Sequence, residues 1–259
     1  MSQGARIYTI VNQKGGVGKT TTVVNIAAAM ALSRKKVLVI DMDPQGNAST
    51  SFGIEQQQRQ NTIYEVLLGE TEITQAILNT NVKNLQLISS TVDLSAAEVE
   101  LVNVENRENI LRQALKPILN KFDYIFIDCP PSLGLLTVNS LVATSSVIIP
   151  IQCEFLSLEG LSHLLSSLEL IKANFNNKLE VAGIILTMYD RRNKLTEQVE
   201  IDVRNVLRNK VFTNVVPRNV KLSEAPSHGL PGIIYDPTCP GSLCYVGLAK
   251  ELTRREKNN

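Results

Sequence analysis

The chain has 259 residues, of which 44% are hydrophobic and 20% charged, a composition typical of a globular protein with a buried core. It contains no tryptophan and only 5% aromatic residues, which argues against an aromatic platform for single-stranded nucleic acid. The net charge of +1 excludes a uniformly basic nucleic-acid binder, and no apolar run approaches the roughly 20 residues of a membrane-spanning helix.

The first residues and the cysteines indicate where the protein works. A strand-like run begins almost at once, which leaves no room for a signal peptide and predicts a cytoplasmic protein. There are two histidines and four scattered cysteines, namely Cys129, Cys153, Cys239 and Cys244. Because no metal-ligand spacing is present, the cysteines are predicted to be free thiols in or near the core.

Apolar, β-branched runs alternate with longer amphipathic segments along the chain. The predicted strands cover 6–11, 36–41, 85–89, 124–129, 146–151, 181–189 and 211–217. The predicted helices cover 20–33, 62–68, 95–120, 134–143, 157–175, 195–208 and 242–255. Several strands are apolar at successive positions, as in parallel strands covered on both faces. The alternation predicts a single α/β domain over 1–259, with a doubly wound, mostly parallel sheet and helices on both faces.

The segment KGGVGKTT (14–21) lies between the first predicted strand and the first predicted helix, which is the context of a phosphate-binding loop. Its glycines let backbone N–H groups converge on an anion at a helix N-terminus. The predicted nucleotide-binding residues here are Lys14, Gly15, Gly16, Val17, Gly18, Lys19, Thr20 and Thr21. Lys19 is expected to reach the β- and γ-phosphates, and Thr20 to ligate Mg²⁺.

The loop departs from the usual pattern G-x-x-x-x-G-K-[ST] at two positions. Gln13 stands where the first glycine is expected, and Lys14 adds a second cation. The residues alone leave two interpretations of Lys14 open, a solvated loop lysine and a functional cation.

Carboxylates follow two of the predicted strands. Asp128 ends the run YIFID, at the edge where open α/β sheets bind ligands, and is predicted to hold Mg²⁺ directly or through water. Asp41 and Asp43 follow the run VLVI. Asp43 either orients the attacking water or is an ordinary turn residue before Pro44.

The small net charge hides an asymmetry. Residues 191–221 hold eight Lys and Arg against three acids, a local charge of +5 that leaves −4 for the rest of the chain. A segregated charge of this kind is a hint of an electrostatic binding face.

Six segments of the chain form a distinctive set, namely KGGVGKTT (14–21), DMDPQGN (41–47), DCPPSLG (128–134), IQCEFLSLEGLSHLL (151–165), LTMYDRRNKL (186–195) and VVPRNVKLSEAPSHG (215–229). Together they resemble the ParA/Soj family of chromosome- and plasmid-partitioning ATPases. The first is shared across the wider deviant-Walker superfamily, which includes the cell-division ATPase MinD. The motifs DPQGN and PRNVKLSEAPSHG are more specific to ParA/Soj.

The resemblance implies a P-loop fold, ATP and Mg²⁺ as cofactors, and slow, partner-stimulated hydrolysis of ATP to ADP and phosphate. It implies a homodimer that forms with ATP, in which Lys14 crosses the interface to the partner's phosphates. The expected catalytic residues are Lys14, Lys19 and Asp43. The residues expected beside the adenine are Met188, Pro217 and Asn219.

The resemblance also implies a ParB/Spo0J-type centromere-binding partner, non-specific DNA binding and association with the nucleoid. The candidate DNA-binding residues are Arg191, Arg192, Arg218 and Lys221. Leu230, Thr238 and Pro240 replace cations that are common in the family. Fewer cations predict weaker DNA binding with a shallower salt dependence. Whether a chromosome or a plasmid is served stays open.

Three alternatives come from the same superfamily. A MinD-like ATPase on a membrane surface needs a C-terminal amphipathic helix, but ELTRREKNN lacks the apolar face and its polar end is expected to fray, so no membrane is expected. A metallocluster enzyme needs cysteine ligands with a spacing that this chain does not have. A positioning ATPase for another cargo would share every residue discussed.

Overall fold

The structure is a computed structural model that describes residues 4–154 and 157–258, so Phe155 and Leu156 of the segment 151–165 lie outside it. The strands are Arg6–Ile10 (β1), Val37–Asp41 (β2), Ile77–Asn79 (β3), Leu85–Ile88 (β4), Tyr124–Asp128 (β5), Ser146–Gln152 (β6) and Glu180–Thr187 (β7). The α-helices are Lys19–Leu32 (α1), Asn47–Ser51 (α2), Ile63–Leu68 (α3), Leu94–Glu100 (α4), Ile110–Leu115 (α5), Leu135–Ala143 (α6), Ser157–Asn174 (α7), Lys194–Leu207 (α8), Val220–Glu224 (α9), Gly232–Tyr235 (α10) and Pro240–Asn258 (α11).

The described strands form one sheet in the order β3-β4-β2-β5-β1-β6-β7. The pairs are parallel except that β3 runs antiparallel to β4. This confirms the predicted fold class. Because β2, β5 and β1 are neighbours, their carboxyl ends meet at one edge, where Asp128 is in register with both Asp41 and Ile10. That edge is where open α/β sheets bind ligands.

The central strands are buried on both faces because successive side chains enter different cores. Val37 and Val39 of β2 pack in the core that contains α1 and α11, whereas Leu38 and Ile40 pack in the core that contains α3, α4 and α5. A third core joins β6 and β7 to α7 and α8. Full burial of each such aliphatic side chain contributes about 1.5–3 kcal/mol. Burial on both faces therefore explains why the central strands have apolar side chains at successive positions.

The predicted strand over 211–217 is wrong. Two isolated parallel bridges, at Val211 and at Pro217, join the two ends of this segment to the chain around β7, where the Phe212 and Val216 amides donate to the Ile184 and Leu186 carbonyls. The amide of Thr213 instead donates to Glu251 of α11, at 2.9 and 3.1 Å from its two carboxylate oxygens. Pro217 has no N–H to donate. The α11 carboxylate thus interrupts the ladder in the middle of the segment.

The predicted helix over 95–120 is broken into shorter pieces, with α4 and α5 as its α-helical parts. Asn106 between them has a left-handed backbone with φ of 54°. The side chain of Asn139 on α6 also accepts from the amide of Leu111 and donates to the carbonyl of Arg107. The short elements β3, α2, α9 and α10 were not predicted.

The predicted fraying of the polar C-terminal end is also wrong, because α11 continues to Asn258. Glu256 accepts hydrogen bonds of 2.7 Å from both Tyr8 and Tyr124 and lies 3.2 Å from the Arg6 guanidinium. The last turn of α11 is therefore fastened to two central strands. Across the described residues, every helix is too short or too polar to cross a membrane.

Candidate functional site

The phosphate-binding loop predicted from the sequence joins β1 to α1. Gly16 and Gly18 have φ of 73° and 87°, in the left-handed region that favours glycine. Space is open around Gly15 and Gly16, since no heavy atom lies within 4 Å of a Cβ built at either position. Val17 is buried beneath the loop, where its carbonyl oxygen is 2.8 Å from the Thr187 hydroxyl at the end of β7. The loop thus leaves open space beside the N-terminus of α1.

Lys19 is the first residue of α1 and is buried, with 7% of its surface exposed. Its ammonium donates to the Lys14 carbonyl oxygen at 3.1 Å, so the Lys19 side chain folds back against the phosphate-binding loop. Burial lowers the pKa of Lys19, while Asp128 and Asp43 act in the opposite direction. Lys19 and these two carboxylates therefore share one electrostatic site.

Lys14 lies on the exposed side of the loop. Its amide donates to the Asn12 side chain at 2.9 Å, and Asn12 in turn donates to the Pro150 carbonyl at the end of β6. The Lys14 ammonium forms an ion pair with Glu154, just after β6 in the same chain. About half of each side chain remains exposed, 49% for Lys14 and 47% for Glu154. The sequence analysis did not find this partner, since 140 residues separate the two groups.

Asp128 ends β5 and is completely buried. Neither carboxylate oxygen has a hydrogen-bond partner within the described part of the chain. Burial, followed by the charge of Asp41, raises the pKa of Asp128 well above its usual range. The Thr20 hydroxyl is near enough to lower this pKa, but it makes no hydrogen bond of ordinary geometry to the carboxylate. A buried carboxylate without a partner is costly unless a cation or a water molecule compensates it.

Asp41 and Asp43 differ in their contacts. Asp41 Oδ2 accepts from the Ser49 amide at 2.8 Å and from the Ser49 hydroxyl at 2.7 Å, so it fastens the start of α2 to β2. Burial raises its pKa. Asp43 lies in the turn between them, buried to 7% exposure, and its Oδ1 accepts from the Gln45 amide at 3.0 Å. Asp43 therefore accepts fewer hydrogen bonds than Asp41 and is the freer of the two carboxylates beside the phosphate-binding loop.

A cavity of about 310 Å³ opens beside the loop. The predicted residues Gly18, Thr21, Met188, Pro217 and Asn219 all line it. Met188 has a φ of 50°, which ends β7 and turns the chain toward the cavity. The cavity wall also includes Thr187 and Tyr245, which the sequence analysis missed because both are fixed only by tertiary contacts.

The four candidate DNA-binding cations are exposed, and Arg218 lines this cavity. Arg192 pairs with Asp190 at 2.9 Å, and its hydrogen bonds lower the pKa of Asp190 to about 2. Lys221 pairs with Glu224 at 2.9 Å. The Arg218 amide donates to the Tyr189 carbonyl at 3.2 Å, so the segments of Arg191 and Arg218 adjoin.

Not all of the basic segment lies at this edge. Arg204 donates to the Phe212 carbonyl and Lys210 donates to the Val181 carbonyl, near the start of β7. With a rise of about 3.3 Å per strand residue, Val181 lies roughly 25 Å from Tyr189 along the strand. The charge excess predicted from the sequence is therefore divided between the two ends of the strand.

Comparison with known proteins identifies the family. A family model described as an AAA domain matches residues 5–181. The chain is 50% identical over 251 residues to the chromosome partitioning protein ParA of Myxococcus xanthus, covering 97% of this chain and 89% of that protein. It is 49% identical over 247 residues to the sporulation initiation inhibitor protein Soj of Bacillus subtilis, covering 95% and 98%. The chain belongs to the ParA/Soj family.

A solved structure of an enzyme that is not named as a partitioning protein has a similar fold. The structure is similar to that of cobyrinic acid a,c-diamide synthase from Mycobacterium smegmatis with bound ATP analogue and magnesium, with a TM-score of 0.86 and 34% identity. The match covers 98% of this chain and 96% of the synthase. The family resemblance predicted from the six motifs is thus confirmed over nearly the whole length of the ParA/Soj chain.

Proposed function

We propose that the chain works as one P-loop ATPase domain that dimerises with ATP, binds DNA without sequence preference in that state, and acts with a ParB/Spo0J-type partner in chromosome or plasmid partitioning. The observation that carries this proposal is the buried, unpartnered carboxylate of Asp128 beside Lys19 and the open loop. The names of the relatives support the partitioning role.

The site suits a magnesium nucleotide. Asp128 and the Thr20 hydroxyl would hold Mg²⁺ directly or through water, which would relieve the cost of the buried carboxylate. When bound, Mg²⁺ neutralises charge on the phosphates. The amides of residues 15–18 and the ammonium of Lys19 would hold the phosphates, with Thr21 beside them. The cavity lined by Met188, Pro217 and Asn219 would take the adenine; pockets of this size are ordinary ligand sites.

Hydrolysis needs a positioned water and charge stabilisation. Asp43 would orient the water and accept its proton as the water oxygen bonds to the γ-phosphorus. The bond from that phosphorus to the β–γ bridging oxygen breaks, so the products are ADP and inorganic phosphate. Asp41 is held by Ser49 and would only position the turn that carries Asp43.

Lys14 would supply a cation to the nucleotide of the second protomer, in the manner of an arginine finger. Its exposed position supports this role, because the ammonium can leave Glu154 without unfolding the loop. ATP would then close the dimer, and the loss of the γ-phosphate would release it.

DNA binding would use Arg191, Arg192, Arg218 and Lys221 from both protomers, contacting phosphates in a salt-sensitive way. The cations at the start of β7 bind backbone carbonyls and are not needed for this face. Leu230 is half-buried and Thr238 and Pro240 are exposed, so restoring cations at the two exposed positions would strengthen the binding.

The decisive experiment compares wild type, Lys14→Ala and Asp43→Ala by gel filtration and DNA retention, each with Mg-ATP and with Mg-ADP. Retention is measured at about 50 mM salt, where phosphate contacts are strong. We expect the wild type to dimerise and bind DNA with ATP alone, Lys14→Ala to stay monomeric, and Asp43→Ala to remain a dimer on DNA. A wild type that neither dimerises nor binds DNA with ATP would refute the proposal, and the reverse pattern in the variants would exchange the two roles.

The MinD-like alternative is less favoured. Membrane insertion by a C-terminal helix needs an apolar face that is free to leave the protein. Here the last turn of α11 is bound to β1 and β5 through Glu256, and Arg255 donates to the Asn209 and Val211 carbonyls. Co-sedimentation with anionic liposomes in the presence of ATP would restore this alternative.

A further inference from the structure

Acidic residues that offset the positive charge of residues 191–221 are concentrated in the segment 91–109. It holds five acids, Asp93, Glu98, Glu100, Glu105 and Glu108, against the single cation Arg107. Its net charge of −4 equals the charge left over once residues 191–221 are set aside. The molecule therefore carries an acidic region on α4 and the turn after it, distinct from the cations beside the cavity.

The same segment exposes aliphatic side chains. Val92 is 71% exposed, Val99 74%, Val102 51% and Val104 45%. Val99 lies on α4, Val92 precedes the helix and Val102 lies in the turn that follows it, so the exposed valines extend over both ends of α4. We call Val92, Asp93, Val99, Glu100, Val102 and Glu105 the acidic-apolar face. Aliphatic surface bordered by charges of one sign is typical of a protein-interaction site.

This face is linked to the nucleotide site through Glu98. The Glu98 carboxylate accepts from the Leu136 amide at 3.4 Å, in the first turn of α6. Gly134 has no side chain, and the Glu98 carboxylate occupies the space that a Cβ at this position would take. The short loop from Asp128 to Gly134 connects this contact to the proposed magnesium site. A partner that binds to α4 can thus displace the loop that follows Asp128 through the contact between Glu98 and Leu136.

We propose that the acidic-apolar face docks a basic segment with aliphatic side chains from the protein partner that stimulates hydrolysis; this rests on the proposed function. The three acids of this face, Asp93, Glu100 and Glu105, attract a cationic peptide and repel both DNA and an anionic membrane. It also disfavours a second copy of this chain, because a two-fold contact would bring the same acids together. Docking here leaves the basic DNA face free.

The test measures ATPase stimulation by the ParB-type protein of the same genome, titrated at constant DNA. Val99→Lys removes an apolar contact and adds a repulsive charge. Val206→Lys is the matched control, since Val206 is 71% exposed on α8, outside the face. We expect Val99→Lys to raise the partner concentration for half-maximal stimulation at least tenfold, with basal hydrolysis, ATP-dependent dimerisation and DNA retention unchanged. Val206→Lys should behave as wild type.

A second variant tests the link to the site. Glu98→Gln keeps the size of the side chain but weakens its hydrogen bond to α6. We expect Glu98→Gln to lower the maximal stimulated rate, while the partner concentration for half-maximal stimulation stays within about twofold of wild type. A residue that only binds the partner would instead change the half-maximal concentration and leave the maximal rate unchanged.

Three results would overturn the docking proposal. They are a Val99→Lys response equal to wild type, an equal loss with Val206→Lys, or loss of ATP-dependent dimerisation in Val99→Lys, which would make the face a contact between copies. A wild-type protein that does not dimerise with ATP or respond to the partner would instead refute the proposed function.

Discussion

The ion pair between Lys14 and Glu154 predicts that removing the acid will favour the dimer. In the proposed cycle each protomer must break this pair before its lysine reaches the second nucleotide. Glu154→Gln removes the charge but keeps the shape of the side chain. The variant should therefore form the ATP-bound dimer at lower protein concentration than wild type.

The exposure of the two side chains sets the size of the effect. At 49% and 47% exposure, the pair lies in a solvent-screened environment, where ion pairs contribute about 0–1 kcal/mol. Two such pairs break per dimer, so the gain is about 1 kcal/mol and at most about 2 kcal/mol. The dimer dissociation constant should fall about fivefold, with an upper limit of roughly thirtyfold. High salt should reduce the difference, since exposed charges are screened.

The assay is sedimentation equilibrium over a protein concentration series with Mg²⁺ and a non-hydrolysable ATP analogue. Glu159→Gln is a matched control, because Glu159 is an exposed acid in the first turn of α7. Glu154→Gln in a Lys14→Ala background separates the ion pair from a general effect of charge on nucleotide binding. A dimer that is weakened by Glu154→Gln would refute the reasoning, because Glu154 would then stabilise the closed state.

Four further predictions concern other parts of the molecule. Asp128→Asn should raise the melting temperature of the nucleotide-free protein by several degrees and reduce the increment given by Mg-ATP, as read by differential scanning fluorimetry. Because burial raises the pKa of Asp128 and Asp41, the folded state binds protons more tightly than the unfolded state. The free energy of unfolding should therefore fall as the pH rises from about 4, the ordinary pKa of an aspartate, to about 6, the pKa of Asp41 in the folded state, and it should fall less in this variant. Glu256→Gln weakens three contacts of α11 and should cost about 1–3 kcal/mol in urea unfolding. Replacing Arg191 and Arg192 together by Ala should lower the salt slope of DNA retention by about one per lost phosphate contact, with ATP-dependent dimerisation unchanged.

The sheet could be predicted because the central strands are apolar on successive residues and are separated by helical segments. Their carboxyl-terminal acids and glycines also follow the strands directly in sequence, so Asp128, Asp43 and Lys19 could be placed at one edge. Local sequence was sufficient here because each of these positions is fixed by its own strand or loop.

Features that depend on distant partners could not be predicted. The segment 211–217 has the composition of a strand, but Glu251 accepts from the amides of Thr213 and Asn214 in its middle and interrupts the pairing with β7. The two carboxylates after β2 look equivalent in sequence, and only the contact with Ser49 separates Asp41 from Asp43. The cation of Lys14 was recognised, whereas its partner Glu154 was not, because no short-range pattern connects residues 140 positions apart.

The central claim is that Lys14 exchanges Glu154 for the nucleotide of a second protomer. A crystal structure of the Asp43→Ala variant with Mg-ATP tests it most directly. We predict two protomers facing each other across two nucleotides, with each Lys14 ammonium within about 3 Å of a phosphate oxygen held by the opposite subunit. Two ATP-bound protomers in which Lys14 remains paired with Glu154 of its own chain would contradict the account.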